Sequence, residues 1–256
     1  MIRRKSVREI ELMRHAGRIA AAARIEAGKM VRAGVTTQSI NNHVHRFIKA
    51  RDAEPIFLGY RGFPGSICIS INEQIIHGVP SGRRLLDGDI ISIDIGVKKD
   101  GYIGDCAATF IVGQGSEQAR RLVEVTRQSF FEGLQYARAG NRVSDISQAV
   151  QSYAETRGYS VVREFVGHGV GSKLHESPEI PNYVENPKRK PDARLLAGMT
   201  IAIEPMINAG VAAIKVLEDK WTVVTADGKP SAHYENTILI TDGDPEILTT
   251  CDGDNL

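Results

Sequence analysis

Residues 85–94 read LLDGDIISID, and residues 195–204 read LLAGMTIAIE. Both stretches open on a leucine pair, pass a glycine and run into an alternation that ends on an acid, so that Asp94 falls on Glu204. In the first, Ile91, Ile93 and Ile95 share one face of a strand while Ser92 and Asp94 share the other. In the second, Ile201 and Ile203 oppose Ala202 and Glu204. The pattern occurs twice with its acid on the small, polar face each time, which is the mark of an internal duplication.

The match extends in both directions. Upstream, Arg32-Ala33-Gly34 precedes Ile40, Val44 and Phe47, and Arg138-Ala139-Gly140 precedes Ile146, Val150 and Tyr153, both with the spacing of an amphipathic helix stripe. Thr36-Thr37 and Ser144 mark the two helix starts. Downstream, the β-rich run from Asp105 to Gly113 parallels the run from Glu235 to Gly243. His77-Gly78-Val79 parallels His168-Gly169-Val170. Four matches in one order predict a single domain over residues 1–256, with halves at about 1–113 and 114–248. Hairpin connections and the lack of a βαβ glycine fingerprint give an α+β class, a curved antiparallel sheet backed by helices. The stretch Pro181–Pro191 reads as a surface loop.

Bulk composition narrows the possible roles. With 256 residues, 42% hydrophobic, 25% charged and a net charge of +1, the chain has no field built for nucleic acid or an anionic membrane. The basic blocks Arg3–Lys5 and Lys188–Lys190 read as solvated surface. Cys68, Cys106 and Cys251 form no CxxC pair, which argues against a disulfide framework or thiolate zinc site and for a reducing compartment. Glu9, Glu11, Arg14 and Arg18 interrupt any apolar segment after the basic start. No run approaches the roughly 18 apolar residues of a membrane span, so a soluble, cytoplasmic protein is expected.

The acids carry the chemistry. Val97-Lys98-Lys99-Asp100-Gly101 contains the Asp-Gly hairpin signal. A turn centred at Lys99/Asp100 sets Asp94 and Asp105 directly opposite one another, with Cβ atoms about 5 Å apart. The second half brings Glu204 and Glu235 to the same cleft, and four carboxylates that close require a cation. His168, between two glycines, adds a nitrogen. Four carboxylates and an imidazole favour Mn, Fe, Co or Zn, and carboxylates that bridge imply two ions about 3.5–4 Å apart.

The segments IHGVP (76–80), DIGVKKDGYIGDCAATF (94–110), GHGVGSKLHESP (167–178), IAIEP (201–205) and YENTILIT (234–241) resemble methionine aminopeptidases. The resemblance runs from about Ile10 to about Thr241, and the short interval from Glu204 to Glu235 is similar to the bacterial-style type I enzymes. It implies the pita-bread fold and two divalent ions (Co, Mn, Fe or Zn). Asp94 then chelates one ion, His168 and Glu204 hold the other, and Asp105 and Glu235 bridge both. It further implies Glu204 as proton shuttle, His175 as oxyanion donor, and His77 as a hydrogen-bond partner of the peptide near the scissile bond. Tyr60, Phe63, Cys68 and Trp221 then form the methionine pocket, and carbonyls near Asn72, Gln74 and Ser231 a monovalent cation site for Na or K. The implied substrate is the N-terminal methionine of nascent polypeptides at the ribosome, removed by a monomer when the second residue is small. Phe57 stands where relatives usually carry a small residue, Leu174 where Phe is commoner, and Arg61 where His is frequent, so pocket shape is expected to differ. The alternatives are a Xaa-Pro aminopeptidase or prolidase, which usually carries a further N-terminal domain, and a metal-free pita-bread binding protein.

Overall fold

The computed structural model describes residues 2–184 and 192–253. Among the described residues four α-helices pack on the isoleucine face of the main sheet: α1 (Val7–Lys29), α2 (Thr37–Lys49), α3 (Glu117–Leu134) and α4 (Val143–Glu155). Each begins where a side chain satisfies free backbone N–H groups. Ser6 and Glu9 form a reciprocal capping box at α1, Thr36 accepts from Ser39 N–H at α2, and Ser116 accepts from Ala119 N–H at α3. At α4 the Asp145 carboxylate accepts from Arg142 N–H.

The main sheet has nine strands among the described residues. Its centre runs in the order Ile90–Lys99, Tyr102–Ile111, Glu235–Leu239, Thr200–Ile203, Gly167–Gly169, Glu176–Ile180, every neighbour antiparallel. The strand Cys68–Ile71 flanks Ile90–Lys99. The isoleucine faces behave as their alternation predicts. Ile91, Ile93 and Ile95 pack with Ile40, Val44 and Ile48 of α2, and Ile201 and Ile203 pack with Phe130, Ile146 and Val150 of α3 and α4. Helix α1 meets the sheet at two glycines. A Cβ on Gly17 would lie 2.1 Å from Leu248 O, and one on Gly104 would lie 2.6 Å from Gly17 Cα.

The duplication is visible in the hydrogen bonds. Gly34 N–H donates to Leu85 O as Gly140 N–H does to Leu195 O, and Thr36 bridges Arg84 as Arg142 bridges Arg194. Three sequence expectations change in register. First, Lys99 pairs with Tyr102, so the turn is Asp100-Gly101, and Asp94 faces Ala107 while Asp105 faces Gly96. Asp100 and Gly101 both have positive φ, 50° and 85°, the two-residue turn whose twist suits a hairpin. The two acids are thus diagonal neighbours, about 7 Å apart rather than about 5 Å.

Second, the Asp105 and Glu235 runs are offset by two residues from the match read in sequence. Gly88 N–H donates to Val112 O as Gly198 N–H does to Ile240 O, and Ser92 pairs with Thr109 as Ala202 pairs with Thr237. By this register Ala107 is the counterpart of Glu235, and His233 is the counterpart of Asp105. Thr237 Oγ1 accepts from Asp105 N–H and donates to Asp105 O, and Thr109 Oγ1 makes the same pair of bonds to His233. Third, the strand holding the place of Gly167–Gly169 is Cys68–Ile71, since Ile71 pairs with Ile91 as Gly169 pairs with Ile201. Ser70 therefore matches His168, and His77-Gly78 runs along the far edge of that strand, where Ile69 N–H donates to Gly78 O. β-rich runs look alike in composition, and only the ladder decides which residues face each other.

Of the basic blocks, Arg3 is exposed, but Lys5 is buried and pairs with Glu176 at 2.7 Å, while Arg4 Nε donates to Ala197 O. Arg4 is exposed like Arg3, so Lys5 is the one residue of this block that departs from the expected solvated surface. Lys188–Lys190, and the Pro181–Pro191 loop from residue 185 onward, lie outside the described residues. No helix among the described residues is long and apolar enough to cross a membrane.

Candidate metal centre

Three neighbouring strands set Asp94, Ala107 and Glu235 side by side. Asn236 pairs with Ile203, so the next residues along, Glu235 and Glu204, also stand together. Asp105 sits two residues before Ala107 on the same face. The methyl of Ala107 is the only side chain between Asp94 and Glu235 in this row, and it leaves the carboxylates room to converge. His168 reaches them from the next strand, with Nε2 at 3.5 Å from Glu204 Oε1 and 3.8 Å from Asp105 Oδ2. Ligand atoms of Asp105, His168 and Glu235 lie within 4.8 Å of one another, as do those of Glu204, His233 and Glu235.

Burial makes this cluster electrostatically demanding. Asp105 and Glu235 are 3% and 2% exposed. Burial pushes Asp94 up to about 7. Burial, then the charge of neighbouring acids, holds Asp105, Glu204 and Glu235 well above the usual carboxylate range. Burial also holds His168 and His233 down at about 3 and His77 at about 4. Asp94 Oδ1, Asp105 Oδ1 and Glu235 Oε1 are buried without a hydrogen-bond partner among the described residues. Buried oxygens of that kind are costly unless something positive meets them. Hard oxygen donors with one or two imidazoles fit divalent cations of the Mn-to-Zn series. His168 Nδ1 lies 2.9 Å from Gly169 O, the bond that leaves Nε2 free to bind a metal.

The carboxylates open into a cavity of about 270 Å³ lined by all eleven residues expected to hold metal, act on the peptide or enclose methionine, but not by Asn72, Gln74 or Ser231. Opposite the acids, Phe63 and Trp221 meet edge to face at 5.2 Å, and Cys68 pairs with Asp94 in the ladder. Burial, then the nearby acids, pushes the Cys68 thiol up, so it stays a small apolar wall. Phe57 packs over Gly96, where a Cβ would come within 2.7 Å of the ring. Leu174 and Arg61 also line the cavity, so all three divergent positions bear on its shape. Tyr60 does more than form a wall, because its hydroxyl lies 2.8 Å from His175 Nδ1. Burial, then the charge of Arg61, lowers the pKa of His175. His77 is held at φ 57° with its ring edge-on to Phe165.

Support comes from behind. Arg24 of α1 is buried and donates to Asn236 Oδ1 at 2.9 Å, fixing the strand that carries Glu235, while Asn182 Nδ2 donates to Glu204 O at 2.9 Å. Asn72 and Ser231 are joined by Ser231 N–H to Asn72 O at 2.8 Å, whereas the Gln74 side chain turns back to accept from Ile71 N–H. Sequence reading overlooked His233. The signal was available, since His233 precedes Glu235 by two and shares its face, but Tyr234 breaks the strand between them.

Comparison with known proteins gives the class. The sequence profile of Metallopeptidase family M24 matches residues 11–242. Methionine aminopeptidase 1 of Bacillus subtilis (strain 168) is 52% identical over 97% of this chain and 99% of its own length. The methionine aminopeptidase of Escherichia coli (strain K12) is 42% identical over 96% and 92%. The crystal structure of methionine aminopeptidase from Rickettsia prowazekii superposes with a TM-score of 0.94 at 40% identity, covering 98% of this chain and 100% of that one. The chain belongs to metallopeptidase family M24, among its bacterial methionine aminopeptidases. Prolidase from Pyrococcus furiosus, with a TM-score of 0.74 at 23% identity over 97% of this chain and 66% of that one, shares the pita-bread fold alone.

Proposed function

We infer that this chain hydrolyses the first peptide bond of proteins that begin with methionine, when the second residue is small. The observation that carries this reading is one cavity lined both by carboxylates whose buried oxygens lack a partner among the described residues and by the aromatic side chains of Tyr60, Phe63 and Trp221. Asp94, Asp105, His168, Glu204 and Glu235 hold two divalent ions drawn from Co, Mn, Fe and Zn. Once bound, such ions supply Lewis acidity toward a carbonyl and lower the pKa of a water.

The remaining work falls to the chain's own groups. A Glu204 carboxylate oxygen takes the proton of the attacking water and returns it to the leaving amine. Tyr60 Oη lies 2.8 Å from His175 Nδ1; in the tautomer in which Nδ1 accepts from the hydroxyl, the ring proton sits on Nε2, where it meets the developing oxyanion. His77 hydrogen-bonds the peptide beside the scissile bond. Tyr60, Phe63, Cys68 and Trp221 enclose the methionine side chain, whose thioether suits aromatic walls. Phe57 and Leu174 narrow or reshape that slot, and Arg61 stands at its mouth. A monovalent cation, Na or K, binds at carbonyls around Asn72, Gln74 and Ser231. The enzyme works as a single-domain monomer in the cytoplasm on nascent chains at the ribosome.

The test is hydrolysis of Met-Ala-Ser against Ala-Pro peptides, with Fe, Mn, Co or Zn added in reducing buffer and metal content measured on the same preparation. Methionine release from the first substrate, dependent on bound metal, is expected. Preferential cleavage of Ala-Pro peptides would point to the prolidases, and a purified protein that takes up no metal would point to a binding module.

A further inference from the structure

His233 is the one imidazole grouped with the cleft acids that the reaction as described does not use. It is 2% exposed, and neither ring nitrogen has a hydrogen-bond partner among the described residues. Its Nε2 is nevertheless aimed at two acids, 3.8 Å from Glu235 Oε2 and 3.9 Å from Glu204 Oε2. Those distances are ion-pair range and about 0.6 Å beyond a hydrogen bond, so a small rotation of the acids is needed to close them. The ring reaches this position by the duplication. His233 occupies the register place of Asp105, and the Thr109 hydroxyl clamps its backbone as the Thr237 hydroxyl clamps that of Asp105. The floor of the cleft thus carries a carboxylate at one pseudo-symmetric position and an imidazole at the other.

We propose that His233 is a positioning residue whose Nε2–H donates to the Oε2 atoms of Glu204 and Glu235, fixing both carboxylates and raising their affinity for the metal they hold. The contrast with His168 decides between support and ligation. A ligating imidazole is normally oriented by a second bond from its other nitrogen, and His168 has that bond to Gly169 O. Nothing orients His233 Nδ1 in this way. Glu204 and Glu235 are meanwhile left without a Lys or Arg partner among the described residues, so a single neutral donor between them settles their direction without competing for the cation.

The inference rests on the metal-site reading above, and the experiment separates the two. Co(II) is titrated into the full-length chain and into His233→Leu, His233→Gln and Glu235→Gln, with calorimetry for affinity and visible absorption for coordination. His233→Leu fills the space without a donor, and it should weaken Co(II) binding by about 10- to 100-fold, the range seen for loss of an outer partner, with a shifted absorption band. His233→Gln keeps an N–H and should recover most of that loss. Wild-type affinity and spectrum in a folded His233→Leu, or a His233→Gln as weak as His233→Leu, overturns the proposal. If His233→Leu does not fold, ¹⁵N-histidine spectra of the wild-type chain decide: a protonated Nε2 that persists on metal loading supports it, and a metal-bound Nε2 overturns it. Loss of Co(II) in Glu235→Gln but not in His233→Leu rejects this inference alone. Retention in both rejects the metal site itself.

Discussion

Stripping the divalent ions should reverse how this protein's stability responds to pH. In the metal-free fold, Asp94 binds its proton up to about 7, and Asp105, Glu204 and Glu235 are raised well above the ordinary range. The unfolded chain releases those protons near pH 4. The folded state therefore binds more protons than the unfolded state, and stability falls as pH rises. The contribution is fully present below about pH 4 and is lost as pH climbs through the folded values. Buried histidines oppose this at lower pH: His77, His168 and His233 are held neutral at about 3 to 4 and favour folding as pH rises toward about 6.5. Between about pH 6.5 and 8 this opposing contribution still amounts to about 0.4 kcal/mol for each histidine, because the unfolded imidazoles are half protonated at the lower end. Over that interval Asp94 alone costs about 0.8 kcal/mol, and Asp105, Glu204 and Glu235, held well above the usual range, add to the loss in the same direction and carry the net fall. With metal bound the acids stay ionised at every pH in the window, so only the histidine contribution is left and stability should rise slightly with pH. Urea midpoints of chelated and metal-loaded protein at the two pH values measure this. Equal slopes in the two forms would mean that the carboxylates do not meet a cation, and the reasoning about the cleft would fail.

Other outcomes follow from the same geometry. Asp105→Ala or Glu235→Ala should abolish turnover and lower metal content, and a variant with near wild-type turnover and full metal would remove that residue from the centre. Glu204→Gln should fold and bind peptide yet turn over slower by orders of magnitude, since an amide cannot take the water's proton; steady-state kinetics beside circular dichroism decides. His175→Ala should lower kcat more than it raises KM, with Tyr60→Phe showing a milder version of the same split, because donors to an oxyanion act in the transition state; an effect on KM alone assigns the pair to substrate binding. Gly17→Ala should destabilise the fold by about 1–3 kcal/mol without touching the cleft, because its Cβ meets the Leu248 carbonyl at 2.1 Å; an unchanged thermal midpoint would show that α1 can shift freely.

Local physics made much of this protein readable from its residues. The repeated LLxG stretches, the isoleucine alternation and the two helix stripes established a duplicated α+β sheet, because burial on one face imposes period two on strands and a 3.6-residue period on helices. The same alternation put Asp94 and Glu204 on the small face, and the motif resemblance named the other candidate ligands, all of which line one cavity. Register was beyond its reach. Asp94 faces Ala107 rather than Asp105, His168 matches Ser70 rather than His77, and the pseudo-symmetric mate of Asp105 is His233 rather than Glu235. Shifting a strand by two residues leaves every side chain on its proper face, so hydrophobic patterning is blind to the difference. Only backbone hydrogen bonds, with the Thr109 and Thr237 hydroxyls that lock them, choose between the alternatives. For the same reason the Tyr60–His175 bond, which joins residues far apart in the chain, and the buried aim of His233 had to come from the tertiary structure.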